Sequence, residues 1–271
     1  MPSAIINVMD RAARKAGRAL VRDFGEVEQL QVSKKGAADF VSAADLKAER
    51  VLRQELARAR PEFAFLGEEG GVQGESRDRW VVDPLDGTSN FLHGIPHFAI
   101  SIALELDGQV VAGAIFEPLG DQFYWAEKGA GAFLGKSRLR VSARTRMAEA
   151  IIATGIPHLG VADHEHYLKC LTTLMGEVAG IRRFGAAALD MAYVAAGRFD
   201  GFWEFGLNRW DLAAGELLVR EAGGFVSDTA GGNAHLDTGN IVAANANLHG
   251  DLIGILKTID SAPTPAAAHS A

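Results

Sequence analysis

Asp83 and Asp86 stand three residues apart in WVVDPLDGTSNF, residues 80–91, at the end of an apolar run. Two ionised carboxylates about 5 Å apart repel by roughly 3 kcal/mol at an effective dielectric near 20, a sizeable fraction of a domain's net stability. Such a pair calls for a cation between its members or a proton on one of them. Behind it, Gly87 permits a tight backbone path, and Thr88-Ser89-Asn90 supplies capping residues for a short helix whose free N–H groups suit a phosphate. Pro84 cannot donate to a sheet and holds Asp83 extended, so the strand is expected to end there. Three further acidic places follow the same chemistry: Glu68 and Glu69 in FLGEEGG, Asp211 in NRWDLAAGELLVREAGG, and Asp45 in SAADLKAER. Each alone is most simply a helix cap or a solvated turn. As one set of oxygen donors they would suit Mg²⁺, whereas zinc favours Cys and His.

Two other uses of similar letters fail. A phosphatase of the haloacid-dehalogenase type carries its nucleophilic Asp two residues before the second Asp, and that position is Pro84. A calcium loop of the EF-hand type needs oxygen side chains at its third and fifth positions, which are Leu85 and Gly87 when counted from Asp83.

The elements that must position these acids follow from apolar spacing. Residues 4–24 (Ile5, Val8, Met9, Ala12, Ala16, Leu20) and 43–60 (Ala44, Leu46, Val51, Leu52, Leu56) repeat at helical period. From 79 to 125 the pattern shifts to short apolar runs, with Asp107-Gly108 as a hairpin turn, so two helices are expected on a largely antiparallel sheet. Beyond about 146, strands (AIIATG, DGFWEF, GFVSD, NIVAAN) alternate with helices at 163–178, 185–197, 210–222 and 248–258, an α/β layered pattern. Gly223-Gly224 should cap the 210–222 helix. The change of pattern divides the chain into an N-terminal α+β lobe (1–145), a C-terminal α/β lobe (146–260) and a tail (261–271) with no apolar period, expected to be disordered.

The 271 residues suffice for one large domain or two closely packed ones. Acidic residues outnumber basic ones, 34 against 27, for a net charge of −7, which argues against general electrostatic binding of nucleic acid. The single cysteine, Cys170, excludes an internal disulfide, and the N-terminus breaks its apolar residues with charges. A soluble, cytoplasmic protein without a membrane span is expected.

WVVDPLDGTSNF followed far downstream by WDLAAGELLVREAGG, with GEEG and KKGAADFVSAAD upstream, resembles the signature motifs of the inositol monophosphatase family and the pattern of its bacterial SuhB-type members. The resemblance covers most of residues 30–225. It implies a layered α/β/α/β/α sandwich of the sugar-phosphatase type, shared with fructose-1,6-bisphosphatase. It also implies a homodimer hydrolysing a small phosphorylated polyol with two or three Mg²⁺ ions, inhibited by Li⁺. By motif position Glu68, Asp83, the Leu85 carbonyl, Asp86 and Asp211 would hold the metals, and Asp45 with Thr88 would position the attacking water. The N–H groups of Gly87 and Thr88 would receive the phosphate. On the substrate side the resemblance implicates Glu204 in GFWEFG, and Arg182, Gly185, Ala186 and Ala187 in RRFGAAALD. Many members carry Ser or Thr where this chain has Ala186, so one hydroxyl contact is lost. The substrate expected first is myo-inositol 1-phosphate; fructose 1,6-bisphosphate, histidinol phosphate and a nucleotide 3′-phosphate are the alternatives within the superfamily. A binding role with the RNA-synthesis machinery, alongside the phosphatase site, is the reading from another class.

Other features take plain readings. His93 and His97 flank the motif but would be unusual ligands for Mg²⁺. His158, His164 and His166 are expected at the surface, and Trp125, Trp203 and Trp210 as packing anchors. Lys34-Lys35 is a solvated pair, although Lys34 falls where the family has a lysine near the metals. The alanine-rich run 186–196 reads as close helix packing.

Overall fold

The computed structural model of the chain describes residues 2–26, 32–35, 39–157 and 164–260. The expected tail 261–271, His158 and the side chain of Lys34 lie outside this set. Helix α1 (Ala4–Phe24) starts at Ser3, whose hydroxyl accepts from Ile6 N, and buries Ile6, Met9, Ala12, Ala16 and Leu20 along one stripe. A hairpin of β1 (Val32–Lys35) and β2 (Asp39–Ser42) leads into α2 (Ala43–Ala59). The buried stripe of α2 is Ala44, Ala48, Leu52 and Leu56, while Leu46, expected in it, is 48% exposed.

An eight-stranded sheet follows: β3 (Ala64–Gly67), β4 (Gly71–Gln73), β5 (Arg79–Asp86), β6 (Ala99–Leu106), β7 (Gln109–Glu117), β8 (Gln122–Glu127), β9 (Gly131–Leu134) and β10 (Ser137–Arg138). Helix α3 (Thr88–Leu92) interrupts it between β5 and β6. The spatial order is β10-β9-β8-β7-β6-β5-β3-β4, antiparallel except for the β3–β5 pair. The β6–β7 hairpin turns through Asp107 (φ 50°) and Gly108 (φ 81°), the left-handed pair that matches strand twist.

The remaining elements are β11 (Ile151–Thr154), α4 (His164–Met175), β12 (Gly180–Arg182), α5 (Ala187–Ala195), β13 (Gly201–Glu204), α6 (Arg209–Glu221), β14 (Phe225–Ser227), α7 (His235–Thr238), β15 (Ile241–Ala244) and α8 (His249–Asp260). Their strands form a second sheet, β12-β11-β13-β15-β14, parallel at β12-β11-β13 and antiparallel beyond. Helix α6 ends with Gly223 at φ 89°, as the glycine pair predicts.

Three cores separate five layers. The stripes of α1 and α2 pack with Trp80, Val82, Ile100, Ile102 and Phe116 on the outer face of the large sheet. Helices α5 and α6 fill the space between the sheets, against Val81, Ile115 and Tyr124 on one side and Phe202 and Ala243 on the other. Helices α4 and α8 cover the far face of the small sheet through Tyr167, Leu174, Leu252 and Leu256. The sandwich is α/β/α/β/α. Its central helices sit close because their contacts are small: a Cβ at Gly215 would lie 2.7 Å from Met191, and one at Gly113 would lie 3.0 Å from the Ala214 backbone. The alanine run on α5 is therefore packing surface.

Candidate active site

Pro84 does not end its strand. The β5–β6 register shifts between Asp83, opposite Ser101, and Asp86, opposite Ala99, so the chain passes Pro84 in a bulge and pairs again. A bulge accommodates the missing donor without breaking the sheet and re-aims the side chains around it. Asp83 is 2% exposed and its Oδ1 accepts from Leu85 N at 2.8 Å. Leu85 is fully buried.

Asp86 turns toward the middle layer. Its Oδ2 accepts from Ala188 N at 2.8 Å, and the N–H groups of Ala187 and Leu189 reach it too. It thus caps α5, whose own N-cap residue, Ala186, has no side chain to do so. Asn90 ties the same region together, its Nδ2 donating to His97 O and Phe184 O, both at 2.8 Å. Gly87, at φ 90°, sits where only glycine is relaxed, and a Cβ there would lie 2.9 Å from His97 O and 3.3 Å from the Ala186 methyl. Gly185 also has a positive φ, 81°.

The other acids are delivered by separate elements. Asp45, 1% exposed, lies in the first turn of α2, and Glu68 and Glu69 form the turn between β3 and β4. Oxygens of Asp45, Glu68 and Glu69 all lie within 4.8 Å of one another. Asp211 is the third residue of α6 and closes a reciprocal capping box with Asn208, its Oδ2 accepting from Asn208 N at 2.7 Å. Two bonds hold that end of α6 against the large sheet: Arg209 Nε to Glu105 Oε1 at 2.7 Å, and Ser101 Oγ to Trp210 O at 3.0 Å. Glu105 is fully buried and also accepts from Arg79.

These placements converge. Burial pushes Asp83 well above the usual carboxylate range, and the charges of Glu68, Asp86, Asp211 and Asp45 push it further. Burial raises Asp86 to about 6 in spite of the three amide bonds at α5. Burial, then Asp86 and Glu68, raise Asp211 to about 8. Mutual repulsion of carboxylates with oxygen-only donors is the electrostatic mark of a cation site, and the set fits a hard divalent ion such as Mg²⁺.

Thr88 opens α3 with its hydroxyl 2.9 Å from Leu85 O and 3.3 Å from Asp45 Oδ2, so one proton is shared between two acceptors. Beside Asp211 lies a cavity of about 170 Å³, lined by Gly155, Tyr167, Glu204, Gly206 and Asn208. Glu204 lies across Gly155, where a Cβ would fall 1.8 Å from its Oε1. Burial raises Glu204 to about 8, helped by Asp211 and Asp86. Arg182 is exposed and its Nη1 donates to Ile181 O. The neighbouring Arg183 is the cation whose charge opposes the upward shift of Glu204 and of buried Asp190.

Three residues near the site were not among those singled out by sequence: Glu49 binds the Glu68-Glu69 turn, and Arg183 and Asp190 face Glu204. Glu69, singled out together with Glu68, joins the acidic cluster. Glu49 carried a signal, since it lies one helical turn after Asp45 on the same face. Arg183 and Asp190 carried none beyond their place within the RRFGAAALD segment, residues 182–190. His93 bonds Ser89 O, and His97 packs among Phe184 and Tyr193; among the described residues neither joins the acidic cluster. Trp203 stacks on Tyr167 and Trp125 on Phe133, as packing anchors do.

Five layers in this order, with acids from four segments meeting where β5 leaves its sheet, define a phosphatase sandwich of the sugar-phosphatase class. The profile of the inositol monophosphatase family matches residues 1–261, and the chain belongs to that family of phosphatases. It is 59% identical over 248 residues to an inositol-1-monophosphatase of Rhizobium meliloti, covering 91% of this chain and 93% of that one. It is 46% identical to the Nus factor SuhB of Pseudomonas aeruginosa, over 89% of this chain and 91% of the relative. Among solved structures, the extragenic suppressor protein suhB of Bartonella henselae superposes with a TM-score of 0.92 at 58% identity, covering 94% of this chain and 99% of that one. No described helix is long and apolar enough to cross a membrane.

Proposed function

We propose that this chain hydrolyses a phosphate monoester with Mg²⁺, and that myo-inositol 1-phosphate is the ester. The observation that carries the reading is the convergence of acids: Glu68, Asp86, Asp211 and Asp45 each raise the proton affinity of Asp83, and oxygens of Asp45, Glu68 and Glu69 lie within 4.8 Å of one another. Glu68, Asp83, the Leu85 carbonyl, Asp86 and Asp211 would hold the metal, in two or three ions. When bound, Mg²⁺ offsets the charge of the phosphate oxygens, makes water more acidic and stabilises the leaving oxygen. The chain's own groups do the rest. Asp45 accepts the Thr88 hydroxyl proton, which leaves Thr88 Oγ to take a proton from the attacking water. The Gly87 and Thr88 amides receive the phosphate. Water attacks phosphorus directly, so inorganic phosphate and the alcohol leave without a phosphoenzyme. Glu204 accepts hydroxyls of the alcohol in the cavity beside Asp211, and the resemblance adds Gly185, Ala186, Ala187 and Arg182, which do not line that cavity, to the substrate side.

The name of the Rhizobium meliloti relative supports inositol 1-phosphate, and the absence of a hydroxyl at Ala186 keeps fructose 1,6-bisphosphate and histidinol phosphate as the competing esters. The family resemblance adds a cytoplasmic homodimer sensitive to Li⁺. Phosphate release from a panel of inositol, sugar and histidinol phosphates, with and without Mg²⁺ and with Li⁺ added, tests all of this. We expect release to require Mg²⁺; a preference above tenfold for another ester would overturn the substrate, and Mg²⁺-independent release would overturn the mechanism.

Relatives named Nus factor SuhB support a second reading, a role beside the RNA-synthesis machinery in addition to catalysis. A cell in which an inactive Asp83→Asn chain supplies the full phenotype would make that role the main one.

A further inference from the structure

Helix α2 carries two inward acids one turn apart, Asp45 and Glu49, exposed 1% and 7%. Asp45 addresses Thr88, whereas Glu49 addresses the β3–β4 turn that holds Glu68 and Glu69. Glu49 Oε2 accepts from Glu69 N at 2.8 Å, and the Gly70 N–H donates to the same carboxylate. The glycines on either side of Glu68-Glu69 exist to admit it. A Cβ at Gly67 would lie 2.3 Å from Glu49 Oε2, and a Cβ at Gly70 would lie 2.7 Å from Glu49 Oε1. The carboxylate therefore occupies the concave side of the turn and fixes its backbone from within.

We infer that Glu49 is the positioning residue of the metal site: by gripping the Glu69 and Gly70 amides it holds the turn so that Glu68 faces the other acids. The inference rests on the proposed metal-dependent phosphatase. A ligand on an unsupported turn samples orientations that must be frozen when the cation binds, whereas two charge-assisted hydrogen bonds freeze them beforehand. Asp45 and Glu49 share one rigid helix, so the water-positioning pair and the Glu68 turn are set by the same element.

The test uses Mn²⁺ as the probe ion, titrated into metal-free protein and followed by loss of its free electron-spin resonance signal. Glu49→Ala is expected to weaken Mn²⁺ binding about tenfold, and to raise the Mg²⁺ concentration that gives half-maximal phosphate release by a similar factor. Turnover at saturating Mg²⁺ should stay within about twofold. Glu49→Gln keeps the shape but turns a donor toward one of the two amides, so its loss should be intermediate. Glu55→Ala is the control: Glu55 lies on α2, is 8% exposed and pairs with Lys15 and Arg58, outside the site. It should lower the melting temperature and leave Mn²⁺ affinity unchanged. Wild-type Mn²⁺ affinity in both Glu49 variants overturns the inference, as does equal weakening by Glu55→Ala. Wild-type protein that neither binds Mn²⁺ nor releases phosphate overturns the underlying phosphatase reading instead.

Discussion

Asp83 is held in the folded chain against both burial and four neighbouring carboxylates. Its charge is thus a cost to the metal-free fold, and its value must lie in what it binds. Asp83→Asn keeps an oxygen to accept from Leu85 N, the bond seen at 2.8 Å, while removing the charge. We expect this variant to abolish phosphate release and yet to stabilise the metal-free protein at pH 8, because it removes the charge that burial and the neighbouring carboxylates oppose. Urea unfolding in the presence of a chelator measures the second effect. A variant that is both inactive and less stable would mean that Asp83 serves the fold.

The elements divide the work of placing ligands. Strand β5 brings Asp83 and Asp86 to one edge through its bulge, α2 brings Asp45, and the N-terminus of α6 brings Asp211. The last of these depends on Arg209, which joins buried Glu105 on β6 to Asp237 on α7. Replacing Arg209 by Met removes charge-assisted bonds while Glu105 keeps Arg79 as its partner. A loss of about 2 kcal/mol is expected, because a hydrogen bond to a charged group is worth roughly that. Mg²⁺ affinity should fall with it, since Asp211 loses its anchor against β6. Chemical denaturation and metal titration of the same variant check the pair of effects; an unchanged Mg²⁺ affinity would show that the capping box with Asn208 suffices.

At the scale of the molecule, the site couples folding to protons and to metal. Asp86 at about 6 and Asp211 and Glu204 at about 8 lie above their ordinary values of 3.8, 3.8 and 4.5. The folded chain therefore holds protons that the unfolded chain has already released. Their contribution to metal-free stability is fully present below about pH 4 and is lost as pH rises through 6 to 8. Melting temperature with a chelator should fall across that window. Saturating Mg²⁺ takes the place of the protons and stabilises only the folded state, so the gap between the two melting curves should widen with pH. A metal-free curve that rises from pH 5 to pH 8 would contradict the clustering of acids.

Much of this was legible in the sequence because it is local. Apolar period sets α1, α2 and the strands; Asp107-Gly108 and Gly223 set their turns, since left-handed backbone there suits few residues. The signature motifs marked the acids by resemblance. What the chain's order could not contain is distance. That Pro84 sits in a bulge within β5 depends on β6 continuing beside it, and that Arg183 rather than Arg182 faces Glu204 depends on how the residues after β12 enter α5. Glu49 matters only because α2 lies against the turn after β3. Hydrophobic periodicity acts over a few residues, whereas the repulsion that makes these acids a metal site exists only once packing has brought four segments within a few ångströms of each other.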